Sequence, residues 1–351
     1  MSLLSERLTA QLLAGSSARD PVTVVERLLA VQAQDPRGAR LAVRARATGL
    51  SAADVDKALT GDRALLITWL NRGTLHLVRS EDYPWLQALC TPPLRTSNET
   101  RLAHHGVSPA GAERGLAVLE RVLADEGPLD RDRLRDLLAA AGVRTQGQAF
   151  IQLLVLASIR GMIVRGPMVE GKHAFVLVRD WLGERVPVDR DRALAELARR
   201  YLAGHGPADD RDLARWAGLP LRDARAGLRA IASELRQRED GLVDLRRRPP
   251  VAALPPPRLL GSFEPVLLGW RSRELLLADR ESRLVSGGVF RPFALVRGRA
   301  GGTWRISARQ IAIDPFGRLS RAERSALHAD GEDVARFFQR DLDVTTQGGR
   351  L

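Results

Sequence analysis

Gln32, Gln34 and Asp35 are the first residues whose types and spacing bear on chemistry. In the run Leu28-Leu-Ala-Val-Gln-Ala-Gln-Asp-Pro36, Gln32 follows Leu28 by four residues and Leu29 by three. On a helix it would stand in the apolar stripe, where a hydrocarbon is expected, and a buried carboxamide needs a hydrogen-bond partner. Gln34 would point nearly opposite on an ideal helix, but Pro36 disfavours helical geometry at Asp35, so unwinding of the helix end would let the two amides converge. Asp35 has two readings: a carboxylate is the usual base for activating water, and Asp-Pro is a common turn starter. Taken alone, the two glutamines read more readily as a satisfied core amide and a solvated terminal residue than as a reaction centre.

Other chemical patterns are missing from the sequence. Cys90 is the only cysteine, which excludes an intrachain disulfide and thiolate zinc sites. The histidines at 76, 104, 105, 173, 205 and 328 show no HExxH-like spacing. Gly166-Pro-Met-Val-Glu-Gly-Lys-His173 approaches a phosphate-binding loop, but His173 lacks the required hydroxyl, Glu170 repels phosphate, and the following AFVLV reads as strand. GxSxG and GxGxxG do not occur. Neither a metal nor a cofactor is expected.

Net charge is +12 over 351 residues, and with Lys57 and Lys172 the only lysines, 52 of the 54 basic residues are arginine. Many of these belong on solvated helix faces, yet a chain this basic attracts polyanions, and the guanidinium fork suits phosphate oxygens and guanine edges. Aromatic residues at 5% leave few stacking platforms for single-stranded RNA. No run of eighteen apolar residues occurs, and Glu6 and Arg7 interrupt the apolar pattern of the N-terminus, so an amphipathic helix is expected there and a cytoplasmic, monomeric protein overall.

The elements that would position these residues follow a repeated plan. Asp20-Pro21 opens a helix to about residue 31, Ser51 and Asp54 open another, and residues 65–70 and 74–78 form a hairpin around Asn71-Arg72-Gly73. The order returns with helices at 109–124, 129–141 and 146–160 and a hairpin at 162–178, then with helices at 189–204, 208–217 and 221–233 and strands around Asp240-Gly241. Gly127-Pro-Leu-Asp-Arg-Asp-Arg-Leu134 parallels Gly206-Pro-Ala-Asp-Asp-Arg-Asp-Leu213 at the same point of the order, which marks an internal repeat. The expected fold is mainly α with β wings (α+β). Three tandem winged-helix units at 1–105, 106–186 and 187–248 lead through a proline-rich linker at 249–258 to a β-rich, barrel-like domain at 259–351. Strands are expected there at 266–270, 274–277, 293–296 and 303–306, and a helix from Ser320 to about residue 341, interrupted near Gly331.

Arg72 at the first hairpin's tip suits a phosphate, as any exposed turn arginine would, and Thr74 and His76 share one face of its second strand. Arg271 and Arg273, on one side of a strand or turn beside Trp270, read equally as DNA-backbone contacts or as solvated arginines. LLAVQAQ, TWLNRGTLHLV, YLAGHGPADDRDLARWAGL, GSFEPVLLGWRSRE and GGVFRPFALVRGRAGGTWR, in this order over nearly the whole chain, resemble the AlkZ/YcaQ family of bacterial winged-helix DNA glycosylases. The resemblance implies excision of N7-alkylguanines from double-stranded DNA, unhooking of interstrand crosslinks in some members, and, in the AlkZ branch that carries Gln at the last motif position, self-resistance in antibiotic producers. It assigns catalysis to Gln32 and Gln34 and places Thr74 and His76 near the DNA. Glu264 and Trp270 depart from the aspartate and tyrosine expected in the family's C-terminal segment. With no lysine suited to a Schiff base, a monofunctional glycosylase is expected, against the alternative of a non-catalytic winged-helix regulator.

Overall fold

Capping residues set the N-terminal elements. In the computed structural model, which describes residues 2–184 and 187–347, α1 (Leu3–Ala10) is capped by Ser2. Helix α2 (Pro21–Leu28) is capped by Asp20, whose Oδ1 accepts from Thr23 N at 2.8 Å. This helix does not reach residue 31. Leu29 takes φ 64° and ψ −45°, and Ala30 N donates to Leu28 O at 2.8 Å, closing a γ-turn. A two-residue strand, β1 (Val31–Gln32), follows. Gln32 is therefore not a polar residue on the apolar stripe of α2, which corrects the sequence expectation. The cause lies downstream: Asp35-Pro36 starts a new helix, α3 (Pro36–Arg44), with Asp35 as its N-cap accepting from Arg37 N at 2.9 Å. The chain has seven residues in which to leave one helix and enter another.

Helix α4 (Ala52–Thr60) is entered through Ser51, whose N and Oγ donate to Asp54 Oδ2 at 2.7 and 2.8 Å. The first hairpin is β2 (Leu65–Trp69) and β3 (Leu75–Arg79), joined through Arg72 and Gly73, both at positive φ. Then come α5 (Tyr83–Cys90), α6 (Arg95–His104), α7 (Pro109–Glu126), β4 (Leu129–Asp130), α8 (Arg131–Ala140) and α9 (Ala149–Ile159). The second hairpin, β5 (Ile163–Val169) and β6 (Lys172–Leu177), leads to α10 (Val178–Leu182). The segment resembling a phosphate loop is this hairpin, with Glu170 and Gly171 at positive φ in its turn. The third stretch holds α11 (Arg190–His205), α12 (Asp210–Ala217), α13 (Leu221–Ala230), β7 (Leu235–Gln237) and β8 (Val243–Leu245). The expected boundary at residue 186 lies outside the described residues.

One order of elements thus occurs three times: a helix, a short extended piece, an aspartate-capped helix, a further helix and a hairpin. The capping bonds are Asp35 to Arg37 N (2.9 Å), Asp130 to Asp132 N (2.9 Å) and Arg133 N (2.8 Å), and Asp209 to Asp212 N (2.6 Å). In the second and third copies the short extended piece pairs antiparallel with the returning hairpin strand, Leu129 with Phe175 and Ala208 with Val243.

After the irregular proline-rich stretch comes β9 (Arg258–Leu260). The strands expected at 266–270 and 274–277 are instead short helices, α14 (Pro265–Leu268) and α15 (Glu274–Leu277): Pro265 sits in a first helical turn, and Leu276 and Leu277 are both buried where a half-exposed strand would alternate. Next are α16 (Glu281–Leu284), β10 (Val285–Ser286), β11 (Val289–Phe290), β12 (Phe293–Val296), β13 (Arg299–Ile306) and β14 (Gln310–Pro315), then α17 (Arg321–Phe337) and β15 (Asp343–Thr346). Helix α17 has the expected capping box between Ser320 and Glu323 but runs unbroken through Gly331, because that glycine admits β15: a Cβ there would lie 2.7 Å from Val344.

Two compact units result, one from Met1–Val55, Leu194–Trp216 and Pro220–Leu351, the other from Asp56–Ala193 and Ala217–Leu219. In the first, strands β15-β14-β13-β12-β9 form an open sheet rather than a closed barrel, antiparallel except for β14 with β15. Its core joins Leu259, Trp304, Ile311 and Ile313 to Val334 of α17 and Leu41 of α3. In the second unit the strands lie in the order β3-β2-β5-β6-β4, all antiparallel. Among the described residues no helix is long and apolar enough to cross a membrane, and no group of three His, Cys, Asp or Glu residues is placed to hold a metal ion.

Candidate active site

The segment carrying the two glutamines is short, non-helical and fixed at both ends. Gln32 is buried (6% exposed), Ala33 is buried, and Gln34 is exposed. Upstream stands the γ-turn at Leu29, a conformation that costs a non-glycine residue about 1–3 kcal/mol. It is held by complete burial of Leu28, Leu29 and Val31 and by α11, which crosses the end of α2 at Gly204. A Cβ at Gly204 would lie 2.1 Å from Arg27 O.

Downstream, α3 is stitched to residues 258–264. Asp35 Oδ2 accepts a short hydrogen bond from Ser262 Oγ while Oδ1 caps the helix. A Cβ at Gly38 would meet Ser262 O at 2.4 Å, so only glycine allows this approach. At the other end, Arg44 donates to Leu259 O at 3.2 Å and pairs with Asp330 and Asp333. Arg46 donates to Gln11 O at 2.8 Å, Ala42 O at 2.9 Å and Glu264 Oε1 at 2.5 Å. Both members of the Arg46–Glu264 pair are fully buried. With one Asp35 oxygen on the helix end and the other on Ser262, the turn-starter reading of Asp35 prevails over that of a water-activating base.

In the other unit, the hairpin holds His76 on the same face as Thr68, its cross-strand partner. His76 is buried, and its Nδ1 lies 3.0 Å from Thr74 O. Burial, reinforced by the positive charge of Arg72, pushes its pKa down to about 3. The ring is therefore neutral at physiological pH, and with Nδ1–H donating to Thr74 O, Nε2 is an acceptor. Thr74 Oγ1 donates to Asn71 O at 3.1 Å. Arg72 is held at φ 58° against Gly218, where a Cβ would approach Arg72 N to 2.9 Å.

Arg271 and Arg273 do not lie on a strand. Arg271 N donates to Asp212 Oδ1 at 2.9 Å, and its guanidinium is 3.6 Å from Asp209 and 3.7 Å from Asp212. Arg273 donates to Leu267 O at 2.9 Å and to Glu281 at 2.8 Å, with its guanidinium 5.0 Å from the Phe290 ring centre. Both cations have internal partners. The two departures in this segment are likewise internal: Glu264 neutralises Arg46, and Trp270 donates to His205 O at 2.8 Å beneath the Arg7 guanidinium, 4.5 Å from its ring. Leu29, Gly204 and Ser262 escaped the sequence reading. Only Gly38 and Gly261-Ser262 offered a local sign, as small residues where two backbones meet.

Comparison with known proteins agrees with this architecture. The family model for AlkZ-like DNA glycosylases matches residues 25–337. An interstrand DNA cross-link repair glycosylase of Streptomyces sahachiroi is 28% identical over 353 aligned residues, covering 94% of both chains. The solved structure of the Streptomyces sahachiroi DNA glycosylase AlkZ superposes with a TM-score of 0.76 at 25% identity, covering 98% of each chain. The chain belongs to the AlkZ-like DNA glycosylase family and is a DNA glycosylase.

Proposed function

We propose that this DNA glycosylase hydrolyses the N-glycosidic bond of N7-alkylguanine in duplex DNA, with Gln32 and Gln34 orienting the attacking water. The observation that carries the reading is the QAQ segment itself: a buried and an exposed carboxamide two residues apart on a non-helical stretch whose flanks are both immobilised. The extended backbone of β1 ends at Gln32 and Gln34 lies in a bend, so the exposed Gln34 amide must turn towards Gln32 for the two to share one water.

The chemistry suits neutral groups. An N7-alkylated guanine is cationic, so cleavage of the C1′–N9 bond returns the electron pair to the ring and releases a neutral base without prior protonation. Water oxygen bonds to C1′, and one proton passes to solvent. Two carboxamide oxygens can hold that water and stabilise positive charge developing on the sugar. A Schiff-base route has no support in the lysines: Lys57 is largely exposed, and Lys172 pairs with Asp130 at 3.1 Å and Asp132 at 3.3 Å on the surface. The threefold order of helices and hairpins supports three winged-helix units that grip the duplex. The Streptomyces relative's name supports interstrand crosslinks as substrates, and we extend the proposal to resistance against a DNA-alkylating natural product.

The test is release of free base from two duplexes, one with a single N7-methylguanine and one with an N7-linked interstrand crosslink. Expected products are the free adduct and an abasic site with the strand uncut. Tight binding of both duplexes without base release defeats the proposal, and strand scission defeats the hydrolytic mechanism.

A further inference from the structure

We propose that Asp35 and Ser262 form a positioning pair that aims Gln34, making residues 258–264 beside the C-terminal sheet a working part of the active site. The inference rests on the reading of Gln34 given above and goes beyond it by assigning a task to two residues outside the QAQ motif.

Asp35 follows Gln34 directly, so whatever fixes Asp35 fixes the peptide from which the Gln34 side chain departs. Three restraints meet there. Oδ1 accepts from Arg37 N at 2.9 Å, which locks Asp35 as the N-cap of α3 at φ −108° and ψ 112°. Oδ2 accepts from Ser262 Oγ, and Ser262 is itself buried. The two backbones are in direct contact beside this bond: a Cβ at Gly261 would lie 3.0 Å from both Gly38 Cα and Gly38 O. Ser262 therefore has no slack with respect to α3, and its hydroxyl is a fixed point rather than a mobile surface group.

The rest of the 258–264 stretch is anchored independently. Leu259 N donates to Asp330 at 2.7 Å, Leu259 O accepts from Arg44, and Glu264 is buried against Arg46. In the other two copies the second oxygen of the capping aspartate meets an exposed cation, Lys172 Nζ at Asp130 (3.1 Å) and the Arg271 guanidinium at Asp209 (3.6 Å). At Asp35 the second oxygen is instead committed to Ser262, 227 residues away in the chain. Only in the copy that carries the glutamines is this partner a neutral, buried hydroxyl.

The pair is tested by single-turnover base release from N7-methylguanine DNA at saturating enzyme, with DNA affinity and thermal stability measured alongside. Asp35→Ser keeps a good N-cap but is too short to reach Ser262; Ser262→Ala removes the donor. Each is expected to slow the bound complex roughly tenfold to a hundredfold, as a misplacement of about 1 Å does, with DNA Kd unchanged. The double variant should be no slower than the slower single one. Wild-type single-turnover rates in the folded variants, or rate losses that multiply in the double variant, overturn the pair. If Ser262→Ala does not fold, Asp35→Ser decides the matter by itself, since its position is half-exposed and its cap is retained. Gln34→Ala separates the two levels: if it retains full rate, the reading of Gln34 fails; if it is inactive while Asp35→Ser is fully active, only the positioning pair fails.

Discussion

Gly204→Ala is a substitution that general rules call stabilising and this structure calls damaging. Gly204 lies in the last turn of α11, and alanine in a helix is ordinarily favoured over glycine by about 1 kcal/mol. The new Cβ would lie 2.1 Å from Arg27 O, 3.2 Å from Arg27 C and 3.5 Å from Leu28 Cα. All three are backbone atoms, so no rotamer change relieves the contact, and the end of α2 must retreat by about 1 Å, an overpacking that costs about 1–3 kcal/mol. The clash outweighs the propensity gain, leaving a net loss of about 1–2 kcal/mol in urea denaturation. The larger effect is on rate. Gln32 stands five residues beyond Arg27 across the γ-turn at Leu29, with buried Leu28 and Leu29 leaving no room to absorb the shift. A displacement of about 1 Å at a reacting group costs on the order of a hundredfold, which single-turnover base release measures directly. A variant with wild-type rate, or one stabilised by about 1 kcal/mol as at an ordinary helix site, refutes the role given to this crossing.

Three further outcomes follow from buried or capping groups. Burial pushes His76 and His205 each down to about 3; the unfolded chain, titrating near 6.5, takes up protons first, so their stabilisation is intact above pH ~6.5 and is lost as pH falls from there towards 3. Each contributes up to about 1.4 kcal/mol per pH unit in that window, and urea midpoints at pH 7.5, 6.5 and 5.5 should fall slightly across the first step and mostly across the last. Glu264→Ala strands the Arg46 guanidinium in the interior and should cost about 3–5 kcal/mol, whereas a urea midpoint near wild type would show that the pair contributes nothing. Ser320→Ala breaks the α17 capping box and should lower thermal stability by about 1 kcal/mol while leaving the single-turnover rate unchanged.

Most helices and hairpins were legible because their signals are local. Asp20-Pro21, Ser108-Pro109 and the Ser320–Glu323 box each place a helix start by backbone chemistry that nothing distant overrides. What the sequence could not show depends on distant partners. The γ-turn at Leu29 has no glycine to announce it and is sustained by burial and by α11. Helix α3 escaped because Pro36 read as the end of one helix rather than the first turn of the next. Gly331 looked like a helix break and is a contact with β15; Val266 and Leu276 looked like strand residues and sit in single helical turns. The glutamine motif itself was legible by resemblance, whereas Ser262, 227 residues from its partner, was not.

Hydrolysis is proposed to rest on the carboxamides of Gln32 and Gln34. This is tested most directly by single-turnover excision of N7-methylguanine by Gln32→Ala and Gln34→Ala enzymes under conditions where every duplex is bound. Each variant should lose about a hundredfold or more in rate, with folded protein and unchanged DNA affinity. Excision at the wild-type rate by Gln34→Ala would contradict that dependence.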